Sequence, residues 1–155
     1  MIVQRILNPE TLASHGNIAG RRAMVAILEA GLRAADPYNN TRELLQVDGH
    51  RLVLDNPGFE PRDAPVSGSQ ILDLDTFDRV FVVGAGKGIQ RVALAFEHAL
   101  GDHLTGGVVI DKHGQDLECT RVKVVYGAHP LPDEGCLDGC RQILDIARSL
   151  TPRDL

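Results

Sequence analysis

Asp78-Arg79-Val80-Phe81-Val82-Val83-Gly84-Ala85-Gly86-Lys87-Gly88-Ile89-Gln90-Arg91-Val92-Ala93-Leu94-Ala95-Phe96-Glu97-His98-Ala99 is the stretch whose reading decides the fold. Val80–Val83 is a short apolar run rich in β-branched residues, the pattern of a strand buried on both faces. Gly84-Ala85-Gly86 follows at once. Apolar residues then recur with a helical period at Ile89, Val92/Ala93, Phe96 and Ala99/Leu100. The order is strand, glycine turn, helix. Such a turn presents backbone N–H groups at the positive end of a helix, where an anion is favoured. Lys87 is expected in the first turn of that helix. An ammonium there opposes the helix macrodipole at a cost of about 0.3–1 kcal/mol, which a bound phosphate or carboxylate would offset.

The turn is not a Walker A loop, because Gly88 occupies the place of its Ser/Thr and no Gly stands at the place of its first Gly. The dinucleotide fingerprint G-x-G-x-x-G is met by Gly84 and Gly86 but not by Ile89, with Asp111 as a late candidate for the ribose-binding acid. A third reading is an anion site in which Lys87 takes part in the chemistry. A fourth is a packing turn with Lys87 solvated. The residues of the turn leave these open.

At 155 residues the chain is long enough for one domain with a real core. Aromatics are 4% and Trp is absent, so the core must be aliphatic, as in parallel α/β sheets. A net charge of −5 and no basic patch argue against a nucleic-acid partner. No apolar run approaches a membrane span, and Asn8-Pro9-Glu10 interrupts any signal-peptide core, so a cytoplasmic protein is expected. Cys119, Cys136 and Cys140 show no Cys-x-x-Cys spacing and read as buried small hydrophobes, with no metal site.

Residues 1–55 read as a lead-in, a helix and a hairpin. Asn17 can cap a helix running to Ala35, with Met24, Ile27/Leu28, Gly31/Leu32 and Ala35 as its apolar stripe, ended by Asp36-Pro37. Leu45–Val47 and Arg51–Leu54 flank an expected Asp48-Gly49 turn. Asn56–Gln70, rich in Pro and Gly, is expected to be an irregular peripheral loop. Residues 71–155 form the core. Ile71–Leu74 leads into the central strand, Gly101 ends the helix, and Gly106–Ile110 and Val122–Tyr126 are further strands. Asp133 can cap a last helix with the stripe Cys136/Leu137, Cys140, Ile143/Leu144, Ala147 and Leu150.

The expected class is α/β, a Rossmann-like three-layer domain with a mainly parallel sheet. The loops after Val83, Ile110 and Tyr126 then share its carboxyl edge, where ligands of open α/β sheets bind. They carry Lys87, Asp111-Lys112-His113 and His129-Pro130-Leu131-Pro132-Asp133-Glu134. Each has a plainer reading. His129 can be an exposed loop residue, Asp133 a simple cap, and Lys112 and His113 solvated.

Three collinear pieces, Val82–Lys87, Leu100–Val109 and His129–Glu134, together resemble the glycerate 2-kinase family, built from a DUF4147 domain followed by a MOFRL domain and in part labelled hydroxypyruvate reductase. Ser14–Asn17 and Leu32–Pro37 are similar to its N-terminal helix region. Departures are Gly88 for the usual Ala, Lys112-His113-Gly114-Gln115 for Lys-Tyr-Gly-His, and Ala128 for a Gly. Family members continue into a further strand, a Ser-Gly-Gly-Gly-Ser loop and the second domain. The chain is therefore expected to be the N-terminal part of such a kinase, truncated before that strand and lacking the MOFRL domain.

The resemblance implies ATP- and Mg²⁺-dependent phosphorylation of D-glycerate to 2-phosphoglycerate. Lys87, His129 and Asp133 would be catalytic, and Gly84, Ala85, Gly86, Lys87 and Gly88 would bind the cofactor; no metal ligands are assigned. The missing portion, or self-association, is the expected partner, and inactivity alone the expected behaviour. A nicotinamide-dependent hydroxypyruvate reductase-like domain and a non-catalytic fragment are the alternatives.

Overall fold

The computed structural model describes residues 5–55, 68–114 and 119–155, so most of the expected Asn56–Gln70 loop lies outside the described residues. The elements in order are α1 (Pro9–Leu12), α2 (Ile18–Ala34), α3 (Pro37–Leu44), β1 (Leu45–Asp48), β2 (Arg51–Leu54), β3 (Gln70–Asp73), β4 (Phe81–Ala85), α4 (Ile89–Leu100), β5 (Gly106–Lys112), β6 (Val122–Gly127) and α5 (Glu134–Ser149).

Local signals set most boundaries. The Asn17 side chain accepts the Gly20 N–H at 3.0 Å and starts α2. Asp36-Pro37 ends α2 and also starts α3, which the sequence reading lacked. The Asp36 carboxylate accepts the Tyr38 N–H at 2.9 Å, and Pro37 occupies the first helical position. The apolar stripe of α2, Met24, Ile27, Leu28 and Leu32, is exposed rather than packed.

β1 and β2 pair antiparallel with Asp48 opposite Arg51, so the turn is Gly49-His50, one residue later than expected. Gly49 takes a φ of +59° there, which glycine adopts without a steric penalty. β3 pairs antiparallel with β2 and belongs to this small sheet; it is not a lead-in to the central strand.

The second sheet has the order β4-β5-β6 and is parallel throughout, as expected. Its central strand is β5, with Val108, Val109, Ile110 and Asp111 all buried. β4 lies at the edge and Val83 is 49% exposed, so the run that reads as buried on both faces is covered on one. α4 and α5 cover opposite faces. A side chain at Gly84 would meet Ile89 and Val109 on the α4 side, and one at Gly139 would meet Ile110 and Val125 on the α5 side. Ala93 and Leu100 of α4 share a core with Leu45, Leu52 and Leu74 beside the small sheet and with Val80, Val109 and Val122 beside the parallel one.

α5 does not pack on its most apolar stripe. It approaches β5 and β6 through glycines: a Cβ at Gly139 would fall 2.5 Å from Ile110 Cγ1, and one at Gly135 would fall 2.2 Å from the Tyr126 carbonyl oxygen. Leu137, Leu144 and Leu150 stay exposed.

Candidate functional site

α4 begins at Ile89, with Gly88 as its cap at φ +81°. Lys87 therefore precedes the helix instead of standing in its first turn. The exposed ammonium does not oppose the macrodipole from within the helix. The turn is close-packed at Gly84, where a Cβ would lie 2.8 Å from Ile89 Cδ1. Several of its donors are used: Gly86 N–H donates to Ile110 O at 2.9 Å and Ile89 N–H to Gly86 O at 3.2 Å. The N–H groups of Lys87 and Gly88 have no partner among the described residues.

Asp111, at the end of β5, is 2% exposed. Its Oδ2 accepts the Gln90 N–H at 3.4 Å, on the first turn of α4, and its Oδ1 accepts the Lys112 N–H at 2.7 Å. This carboxylate ties the helix N-terminus to the strand end. Lys112, next in sequence, is half-buried and has no ion-pair partner among the described residues.

After β6 comes the loop Ala128–Asp133, with a cis His129-Pro130 peptide bond. Asp133 caps α5, accepting the Cys136 N–H at 3.1 Å. The Ala128 N–H, and then that of Cys136, hold its carboxyl below the usual range. A cleft of about 280 Å³ opens between the three strand ends. Lys87, Asp111, Lys112 and His129 supply its charged and polar lining; Ala85, Ile110, Cys136, Leu137 and Cys140 supply its walls.

Of the expected site residues, Ala85, Gly86, Lys87 and His129 line this cleft, and Gly84, Gly88 and Asp133 do not. Lys112, read from the sequence as solvated, does line it. Its signal was position: it stands at the carboxyl end of an expected parallel strand. His113 stacks on Tyr126, ring centroids 5.6 Å apart, and is not part of the lining. Cys119 and Cys136 are half-buried and Cys140 is exposed, against the expectation of three buried cysteines, and Cys136 and Cys140 line the cleft. All three cysteines are free. Among the described residues no three His, Cys, Asp or Glu side chains gather as a metal site. No described helix is long and apolar enough to cross a membrane.

The position of the cleft follows from the topology. From β4 the chain passes through α4 to β5 and β6, and α5 then returns it along the other face. Arg153–Leu155 ends up beside the outer edge of β4, where Arg79 and Asp154 form a parallel bridge. The cleft lies at the carboxyl ends of the parallel strands, the edge at which open α/β sheets bind ligands.

Residues 23–155 match the family described as Domain of unknown function (DUF4147). The chain belongs to the DUF4147 family. This DUF4147 chain is 26% identical over 135 residues to the Glycerate 2-kinase of Pyrococcus horikoshii, covering 87% of this chain and 27% of that protein. It is 31% identical over 77 residues to an Agrobacterium vitis protein named Putative hydroxypyruvate reductase, covering 50% of this chain and 20% of the other. The crystal structure of the PH0495 protein from Pyrococcus horikoshii matches with a TM-score of 0.68 and 24% identity, over 86% of this chain and 27% of that one, and shows the same α/β fold. The DUF4147 chain thus spans about a quarter or less of the length of these proteins.

Proposed function

We propose that the cleft is the anion-binding part of an ATP-dependent glycerate 2-kinase that phosphorylates D-glycerate at its 2-hydroxyl in the cytoplasm. The observation that carries this reading is the grouping of Lys87 and Lys112 in one cleft at the carboxyl ends of the parallel strands, with the Lys87 N–H unpartnered among the described residues and the Asp111 carboxylate accepting two backbone N–H groups. The glycerate 2-kinase relative supports the choice of reaction. Phosphoryl transfer depends mainly on positioning and charge stabilisation. Lys87 neutralises a phosphate or a glycerate carboxylate, its own N–H donates to the same anion, and His129 orients the acceptor hydroxyl.

The nucleotide of such a reaction carries Mg²⁺ with its phosphates. The cleft does not fit a metal cage, since its acid is buried and Asp133 serves as a helix cap. Charge stabilisation from this chain is therefore assigned to Lys87, with its backbone N–H, and Lys112. The nicotinamide reading needs Asp111 on a ribose, and the burial and hydrogen bonds of Asp111 argue against it.

Transfer needs nucleotide and acceptor held together, and this chain spans 27% of the kinase relative. The 155-residue chain is therefore expected to bind the anion without turnover until the remainder of a kinase is supplied in trans. The test is calorimetric titration with phosphate and ATP, alongside an assay with ATP, Mg²⁺ and D-glycerate. Lys87→Ala should weaken anion binding at least tenfold, and Lys87→Arg should keep the charge but alter its reach. Equal affinity in Lys87→Ala and the parent would overturn the site, and robust turnover by the chain alone would overturn the division of labour.

A further inference from the structure

The loop that carries His129 is closed by its own last residue. Asp133 stands at the N-cap of α5, and its Oδ1 accepts the Cys136 N–H at 3.1 Å. The Ala128 N–H reaches the same carboxylate from the end of β6. The Cys136 thiol donates to the Ala128 carbonyl at 3.6 Å. Both backbone groups of Ala128 are therefore held by the cap and first turn of α5. The fit is close. A Cβ built on Gly127 would overlap Cys136 Sγ and fall 3.3 Å from Asp133 Oδ1, and one built on Gly135 would fall 3.3 Å from the same oxygen.

His129 depends on such an anchor. It is exposed, and neither its ring nor its main chain makes a hydrogen bond among the described residues. Pro130 and Pro132, which follow, offer no N–H, and Leu131 between them is 79% exposed. An exposed loop side chain with few buried contacts opens at little cost, so it keeps a direction only as far as its backbone does. The peptide groups on either side of Ala128 are the last that are held before His129, and the groups holding them belong to Asp133 and Cys136.

We propose that Asp133 is a positioning residue: its carboxylate, together with the Cys136 thiol, locks Ala128 and so keeps the His129 ring on the cleft. For the task of His129 the inference rests on the kinase reading, in which this ring orients the acceptor hydroxyl; the lock itself does not. Asp133 is not part of the cleft lining, so an anion at Lys87 should not sense its loss.

The test uses the full 155-residue chain with Asp133→Ser and Asp133→Asn. Serine caps a helix about as well as aspartate, but its hydroxyl is one bond shorter and cannot also serve Ala128. Asparagine keeps an acceptor oxygen at the same reach. Amide hydrogen exchange by NMR should show Ala128 at least tenfold faster in Asp133→Ser and close to the parent in Asp133→Asn. The His129 ring signals should move towards their unfolded positions in Asp133→Ser and return in Asp133→Asn. Phosphate affinity should stay within twofold of the parent in both. With the remainder of a kinase supplied in trans, kcat should fall at least tenfold in Asp133→Ser, with KM for ATP unchanged. Unchanged Ala128 exchange or unchanged His129 signals in Asp133→Ser would overturn the proposal. Loss of protection at the buried Val109 would overturn it too, by making Asp133 a general structural residue, as would failure of Asp133→Asn to restore the signals. No turnover by the parent with the remainder present would instead overturn the kinase reading, and the exchange and ring signals would still decide the lock.

Discussion

Glu97, on α4, accepts the backbone N–H of Val122, the first residue of β6, at 2.6 Å. The same carboxylate takes the N–H groups of Arg121 at 2.7 Å and Thr120 at 2.9 Å. An acid inside a largely apolar helix face is thus the anchor for the entry of β6, and through β6 it sets the floor of the cleft. Burial pushes the Glu97 carboxyl up, but the three N–H donors outweigh it and hold the group below the usual range.

Glu97→Ala should destabilise the chain by roughly 2–4 kcal/mol, because it leaves buried donors unpaired. Urea unfolding measures this. The sign with pH follows from the lowered value. The contribution of Glu97 is complete above the unfolded-state pKa of about 4.3 and is lost as pH falls through the lower folded-state pKa. The stability gap between parent and Glu97→Gln should therefore narrow on acidification below about pH 4. A gap that widens would show that the carboxylate is not the stabilising form.

Asp36 and Arg91 make a second long-range tie. Arg91 donates to Asp36 through Nε at 2.8 Å and Nη2 at 2.7 Å, joining the start of α3 to the first turn of α4. The Asp36 side chain is almost fully buried. Asp36→Ala alone should cost roughly 3–5 kcal/mol, since it strands the guanidinium. The double variant Asp36→Ala/Arg91→Met should recover a large part of that. Strict additivity in this double-mutant cycle would mean that the pair is not coupled.

The parallel strands and the helix starts were legible because their causes are local. β-branched runs mark β4, β5 and β6, and Asn17 and Asp133 cap with their own side chains. What the sequence hid was decided by contacts. A run such as Val80–Val83 reads alike at an edge and in a centre, and only the position of α5 leaves Val83 open. The facing side of α5 was misread because Gly135 and Gly139 make the contact and carry no hydrophobic signal. α3 was missed because Asp36-Pro37 closes one helix and opens another. At the site, Lys87 and His129 could be found from the strand-end rule. Lys112 was undervalued because nothing in the sequence shows that its neighbour Asp111 is buried and accepts the Gln90 N–H, leaving Lys112 without an ion-pair partner among the described residues.

The glycine argument gives a paired prediction. Gly139→Ala should destabilise by about 1–3 kcal/mol, because the new methyl meets Ile110 and the core must shift. Gly31→Ala, in α2 with open space around it, should stabilise by about 0.5–1 kcal/mol through helix propensity alone. Thermal unfolding of the two variants checks both. Similar shifts of the same sign would remove close approach as the reason for the glycine at 139.

The cysteines give a last prediction that joins the core to the cleft. Burial, then the charge of Glu97, pushes the Cys119 thiol up to about 11. Little thiolate exists there near neutral pH, and the thiolate is the nucleophile. Cys140 is exposed and Cys136 half-buried on the cleft wall. Iodoacetamide at pH 8, followed by peptide mass spectrometry, should label Cys140 first and Cys119 last, while the denatured chain should show all three thiols free. Glu97→Gln removes the repelling charge and should speed Cys119 relative to Cys140. Phosphate should slow Cys136 in the parent and not in Lys87→Ala, because Cys136 and Lys87 face the same space. Labelling of Cys119 as fast as Cys140 in the folded chain would contradict the burial argument. Phosphate protection of Cys136 that survives in Lys87→Ala would move the anion away from Lys87.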